Sequence, residues 1–167
     1  GFLEDYAFTI ESFISLYEIC FDEKWLNEAN TLMKYTLKHF FDSKSGMFFF
    51  TSDEDTPLIT RKFEITDNVI PASNSSIAKS LFSLGHIGFD VEYINISQQM
   101  TQNIKEDIFK YPSGYSNWSS LMLYNVFPFY ELAIVGQNLE QINLGLVKNN
   151  FLPNKIVLGS KRKSDLI

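Results

Sequence analysis

Arg61, Glu64 and Asp67 fall within seven residues, and Pro71 then leads to Ser73 and Asn74, either of which can cap a helix entering the apolar run Ile77, Ala78, Leu81 and Phe82. A guanidinium, two carboxylates and a helix start meet at one spot. Glycoside cleavage needs a proton donor at the scissile bond and a second carboxylate across it, which makes Glu64 and Asp67 candidate catalytic groups as acid, base or orienting carboxylate. The same residues also suit a plainer role, an ion-pair and capping network of Arg61, Glu64 and Asp67 that fixes this loop onto the following helix. Sequence alone leaves both open.

The elements around this stretch must position it. Leu3, Tyr6, Ala7, Ile10, Phe13, Ile14, Tyr17, Cys20 and Phe21 follow helical three-and-four spacing, with Phe8, Leu16 and Ile19 making the other side apolar too. This predicts an inner helix, with Cys20 as a small buried hydrophobe. Asp22 can cap a second, outer helix striped by Trp25, Leu26, Ala29, Leu32, Met33, Leu37 and Phe40, antiparallel to the first. Met47–Thr51 and Leu58–Thr60 read as a β-hairpin across the Asp53-Glu54-Asp55 turn, inside a long insertion at about 46–64. A third, inner helix is expected from Asn74 to Ile87, ended by Gly85 and Gly88, and a fourth, outer one from Asp90 to Tyr111. A fifth starts near Ser116 or Asn117, apolar almost all round, and stops before Pro128. The period then changes: strand Glu131–Gly136, helix Asn138–Asn149 and strand Lys155–Gly159 predict a small βαβ unit with parallel strands. The division expected is 1–130 for the helical part and 131–167 for the α/β element and tail.

The totals set limits. The chain has 167 residues, 45% of them apolar and 16% aromatic, enough for a real core. A net charge of −6 with no basic face argues against nucleic-acid binding. No apolar run reaches the ~20 residues of a membrane span, so the chain reads as soluble, with the cytoplasm favoured, and as a piece of a longer protein. A single cysteine excludes an internal disulfide and a cysteine-based metal site; no metal or cofactor is read from the chain. His39 and His86 are placed near helix ends, where a dipole interaction is the plainer role.

If the inner helices run parallel and the outer ones return outside them, all inner N-termini lie on one face. That face gathers Asp5, Tyr6, Asp67, Asn74, Tyr115 and Trp118 into a mouth, where the aromatic rings offer faces for a sugar. The alternation resembles the α/α toroid of six-hairpin glycosidases and N-acylglucosamine epimerases. Three motifs are similar to the spermatogenesis-associated, thioredoxin-domain protein family and its bacterial relatives: Gly1-Phe-Leu-Glu-Asp-Tyr-Ala7, the spacing Arg61-x-x-Glu64-x-x-Asp67-x-x-x-Pro71-x-x-Asn74-Ser75, and Phe151-Leu-Pro-Asn154-Lys-Ile-Val157. The resemblance implies a mainly α fold, a partial α/α toroid with a β-hairpin insertion and a small C-terminal βαβ element. It also implies a thioredoxin-like domain elsewhere in the parent.

Two functions follow as expectations. One is carbohydrate binding or processing, glycosidase- or epimerase-like, with Glu64 and Asp67 catalytic and Asp5, Tyr6, Arg61, Asn74, Tyr115 and Trp118 binding the sugar. The other is a non-catalytic scaffold that docks the thioredoxin-like domain or a protein partner.

Overall fold

The computed structural model describes residues 1–56 and 59–161. Leu58 of the expected hairpin and residues 162–167 of the expected tail lie outside them. The fold is mainly helical. Helix α1 (Leu3–Cys20) packs on α2 (Lys24–Phe40) and on α3 (Ser73–Gly88), and α3 packs in turn on α4 (Val91–Asn103) and α6 (Ser116–Val126). A break at Ile104 separates α4 from the short α5 (Lys105–Lys110), and a 3₁₀ turn (Pro112–Tyr115) leads into α6. Strands β3 (Tyr130–Val135) and β4 (Lys155–Ser160) pair in parallel around α7 (Leu139–Asn149), as the sequence predicts. No helix among the described residues is long and apolar enough to cross a membrane.

The α1 stripe is narrower than expected. Leu3, Ala7, Ile10, Ile14, Tyr17 and Phe21 are buried at regular spacing, while Leu16 and Ile19 are exposed. Cys20 is exposed as well, because the i+4 position from Tyr17 is Phe21, whose ring takes the buried place. Phe21 turns the chain with a left-handed backbone (φ 55°) and sets its ring at a right angle to Tyr17. Its ring also lies against Gly159 of β4, where any Cβ would come within 2.4 Å of it. That contact requires glycine.

Other expectations are corrected by longer-range packing. Among the described residues the hairpin is a different one: β1 (Phe41–Asp42) pairs with β2 (Met47–Phe48) across a tight turn, and a single bridge joins Phe49 to Phe63. The Asp42 carboxylate accepts the amides of Lys44 and Ser45, which favours the short loop closure. Helix α3 ends at Gly88, and the left-handed residue that caps it is Phe89 (φ 52°). The long fourth helix divides at Ile104, and Ile104 and Ile108 are both buried. Helix α6 is not enclosed: Trp118 and Leu121 are buried, but Leu123, Val126 and Phe127 face outward.

The βαβ unit is fastened to α1 by three hydrogen bonds. Glu18 Oε1 accepts from Val157 N at 2.9 Å, Glu18 O from Asn143 Nδ2 at 2.7 Å, and the Tyr17 hydroxyl from Gly159 N at 3.3 Å. Burial raises the Glu18 carboxyl above its ordinary range, against the opposing effects of the Val157 amide and the Lys155 charge. A carboxyl with a raised folded-state pKa holds its proton more tightly in the fold than in the unfolded chain, so stability falls as pH rises between the two values. Glu18→Gln keeps the acceptor and removes the charge. Denaturant unfolding across pH should find it more stable than the unsubstituted chain at neutral pH, with the advantage closing once pH falls below the unfolded carboxyl's pKa. A Glu18→Gln variant less stable at neutral pH would contradict this account of the clip.

Candidate functional site

The sequence-predicted residues converge where α3 begins in the protein interior. Ser73, Asn74, Ser75 and Ser76 are fully buried, so the first amides of α3 have no water to bond and must find acceptors in the protein. The preceding loop supplies them. Asp67 Oδ1 accepts from Ala72 N at 2.9 Å and Ser75 Oγ at 2.8 Å, and Glu64 Oε2 accepts from Ser73 N at 3.0 Å. Asp67 Oδ2 reaches a second helix, accepting from Asn117 N at 2.9 Å in the first turn of α6. One carboxylate thus caps two helix N-termini, the end of each dipole that favours negative charge.

Asn74 holds the other side of the loop. Its Oδ1 accepts from Phe48 N and its Nδ2 donates to Phe48 O, both at 2.9 Å, so the side-chain amide pairs with the backbone of β2 as a neighbouring strand would. The same Nδ2 donates to Glu64 O at 2.9 Å. Trp118 is fully buried and its Nε1 donates to Ile65 O at 2.8 Å, leaving no ring face open to solvent. Asp67 N donates to Gly114 O at 2.8 Å, and a Cβ on Gly114 would come within 2.5 Å of the Tyr111 ring. Tyr115 is half-buried, and its carbonyl accepts from Ser119 Oγ.

Arg61 stands apart from both carboxylates. Its Nη2 donates to His39 O at 3.0 Å and its Nε to Thr51 O at 3.0 Å, and the guanidinium lies 4.2 Å from the centre of the Phe49 ring. The capping half of the plainer reading is therefore formed, and its ion-pair half is absent among the described residues. Asp5 serves α1, accepting Phe2 N at 2.8 Å, while Leu3 N donates to Phe50 O at 2.9 Å. The N-termini of α1, α3 and α6 all attach to the segment from Phe48 to Asp67.

A neighbouring group of side chains was not singled out from sequence. The Tyr35 hydroxyl donates to Glu54 Oε2 at 2.8 Å, and the Tyr35 ring stacks on Tyr6 with centroids 5.3 Å apart. The hydrogen bond to Glu54 pushes the Tyr35 phenol up to about 12. His39 Nδ1 lies 2.8 Å from Asp53 Oδ1, and this contact holds the Asp53 carboxyl below its usual value. Asp53 and Glu54 are thus not merely a solvated turn. The available signal was helical spacing: Tyr35 and His39 sit four apart in the last turns of α2, the end that its antiparallel course brings beside the start of α1.

The chain thus belongs to the class of mainly helical proteins built from packed helical hairpins, with helix N-termini gathered on one loop. Over 85 residues it is 38% identical to spermatogenesis-associated protein 20 of Rattus norvegicus, and over 87 residues 37% identical to that of Mus musculus. The protein of the same name from Homo sapiens is 36% identical over 85 residues. Each match covers 50% of this chain and 11% of the relative, so homology to spermatogenesis-associated protein 20 extends over half the chain. No protein-family model matches the chain.

Asn74→Ala leaves the buried N–H and C=O of Phe48 without partners, each costing about 1–3 kcal/mol, while Glu64 O keeps the Asn74 backbone N–H at 3.4 Å. Denaturant unfolding should show a loss of roughly 2 kcal/mol or more. A loss below about 1 kcal/mol would mean that β2 and the loop do not depend on this amide.

Proposed function

We propose that this chain is a non-catalytic scaffold, a segment of an α/α toroid of the six-hairpin type that docks the thioredoxin-like domain of its parent protein. The observation that carries the reading is the state of the Asp67 carboxylate. It is buried, and its two oxygens are taken by three donors that start two helices, which is the arrangement of a structural bolt. The packing supports the toroid: α1, α3 and α6 lie side by side with their N-termini together, and α2 and α4 pack on α1 and α3. The docking face is the outer side of α6 and β3, where Leu123, Val126, Phe127 and Tyr130 are 53%, 70%, 59% and 47% exposed. A groove of about 480 Å³ lined by Leu123, Tyr124, Phe127, Pro128 and Pro153 runs along it.

A second reading, carbohydrate binding or processing, draws on a shallow cavity of about 240 Å³ lined by Gly1, Asp5, Tyr6, Thr9 and Leu32. Beside it stands the Tyr6–Tyr35 stack, and Glu64 keeps one carboxylate oxygen without a hydrogen bond among the described residues. The two readings separate in one experiment on the full-length protein, thermal unfolding with a panel of mono- and oligosaccharides, since any ligand of the folded state raises its stability. The scaffold reading expects no saturable shift, and it expects Asp67→Asn to lose about 2 kcal/mol because the new amide faces backbone donors. Phe127→Asp should weaken association with the thioredoxin-like domain by about tenfold without lowering the melting temperature. A saturable sugar shift abolished by Glu64→Gln would overturn the scaffold in favour of the sugar site.

A further inference from the structure

A second set of polar side chains lies away from the rim, on the face that α1, α3 and α6 share. Glu11, Ser15 and Glu18 follow helical spacing along α1, off its buried stripe. Opposite them stand Lys79, Ser80 and Ser83 of α3, Tyr124 near the end of α6, and Lys155 of β4. Together they line a cavity of about 140 Å³ that includes none of Glu64, Asp67 or Asn74. The βαβ unit closes this end through the Val157–Glu18 bond.

Three features point to a ligand. Ser80 is 2% exposed and lines the cavity, yet its hydroxyl, like those of Ser73 and Ser76 nearer the start of α3, has no hydrogen-bond partner among the described residues. Native structures rarely leave such a group unpaired, since doing so costs about 1–3 kcal/mol. The charges are sorted by wall, carboxylates on α1 and ammonium groups on α3 and β4, and no salt bridge among the described residues joins any of Glu11, Glu18, Lys79 and Lys155. Lys79 bonds instead to the neutral Asn117 Oδ1 at 3.0 Å. Finally, the space is small. At about 30 Å³ per water, it holds the equivalent of four or five waters, well below the ~300 Å³ at which pockets for drug-sized ligands begin. A neutral sugar or polyol in this cleft would bring neither wall a partner of opposite charge.

We propose that this cavity binds a small zwitterion, an amino acid of a few carbons, with its ammonium against Glu11 and Glu18, its carboxylate against Lys79 and Lys155, and the Ser80 hydroxyl bonded to it. Each wall then meets the opposite charge, the condition under which a charged group is held away from water. The site stands apart from the Asp67 joint that carries the scaffold reading, since it includes none of Glu64, Asp67 or Asn74, and it shares Tyr124 with the apolar groove.

Isothermal titration calorimetry on the full-length protein tests it, with glycine, β-alanine and γ-aminobutyrate as probes and acetate, methylammonium and glycerol as controls. At least one zwitterion should bind saturably at millimolar concentration or below, at least about tenfold tighter than any control. Glu11→Gln and Lys79→Met should each weaken it about tenfold, while Glu92→Gln on exposed α4 should leave it unchanged. If Lys79→Met fails to fold, Lys155→Gln, which lies on the same charged wall, takes its place. No saturable zwitterion binding, equal binding of acetate, or affinity unmoved by Glu11→Gln and either lysine variant would overturn the proposal.

Discussion

The structure depends on one constraint: α3 starts in the protein interior, and a helix start without acceptors for its amides is unstable there. Its own capping position is Ala72, which has no side-chain acceptor to offer. The acceptors come from Glu64 and Asp67, several residues back along an irregular loop. Because Asp67 also caps α6, the same loop fixes the relative position of two helices whose first turns are far apart in the sequence. Asn74 adds the hairpin, and Phe50 adds α1. The segment from Phe48 to Asp67 is a hub, and its polar residues are spent on positioning.

This explains why residues of catalytic type can collect where the scaffold reading places no catalysis. A buried carboxylate whose lone pairs face amide donors is rigid and fully satisfied, which suits a joint better than a proton relay. A further set of polar groups lies on the shared side of α1 and α3, where Ser80 has no hydrogen-bond partner among the described residues and the opposed charges face one another. The apolar excess lies on α6 and β3. The loop before α3, the cleft and the outer face therefore differ in chemistry: carboxylate-capped helix starts, opposed charges without a salt bridge among the described residues, and exposed apolar side chains.

Much of the fold was legible because its signals are local. The spacing of Leu3, Ala7, Ile10 and Ile14 specifies α1, and the switch to short apolar runs on either side of a helical stretch after Pro128 specifies the βαβ unit. What escaped depends on contacts between distant residues. The Phe48–Phe50 run suits a strand in several registers, and Asp42 decided it by folding the short turn. Cys20 fits the α1 stripe by spacing, but Phe21 fills the place because Gly159 receives its ring. The Arg61, Glu64 and Asp67 cluster was found by residue type, while its partners, the amides of Ala72, Ser73 and Asn117, carry no mark in the sequence. Tyr35 lies outside the apolar stripe of α2 and His39 reads from sequence as a helix-end dipole partner, and their link to Asp53 and Glu54 appears only once α2 ends beside the loop.

Backbone hydrogen exchange offers the most direct measurement of the hub. The amides of Phe48, Ala72, Ser73 and Asn117 lie on β2, at the start of α3 and at the start of α6, but all donate to Asn74, Asp67 or Glu64. If the loop holds these elements as one unit, all four should be strongly protected, open with a common free energy, and lose protection together in Asp67→Asn. Independent opening of these amides, with Asn117 exchanging freely while Ala72 stays protected in the variant, would contradict the account.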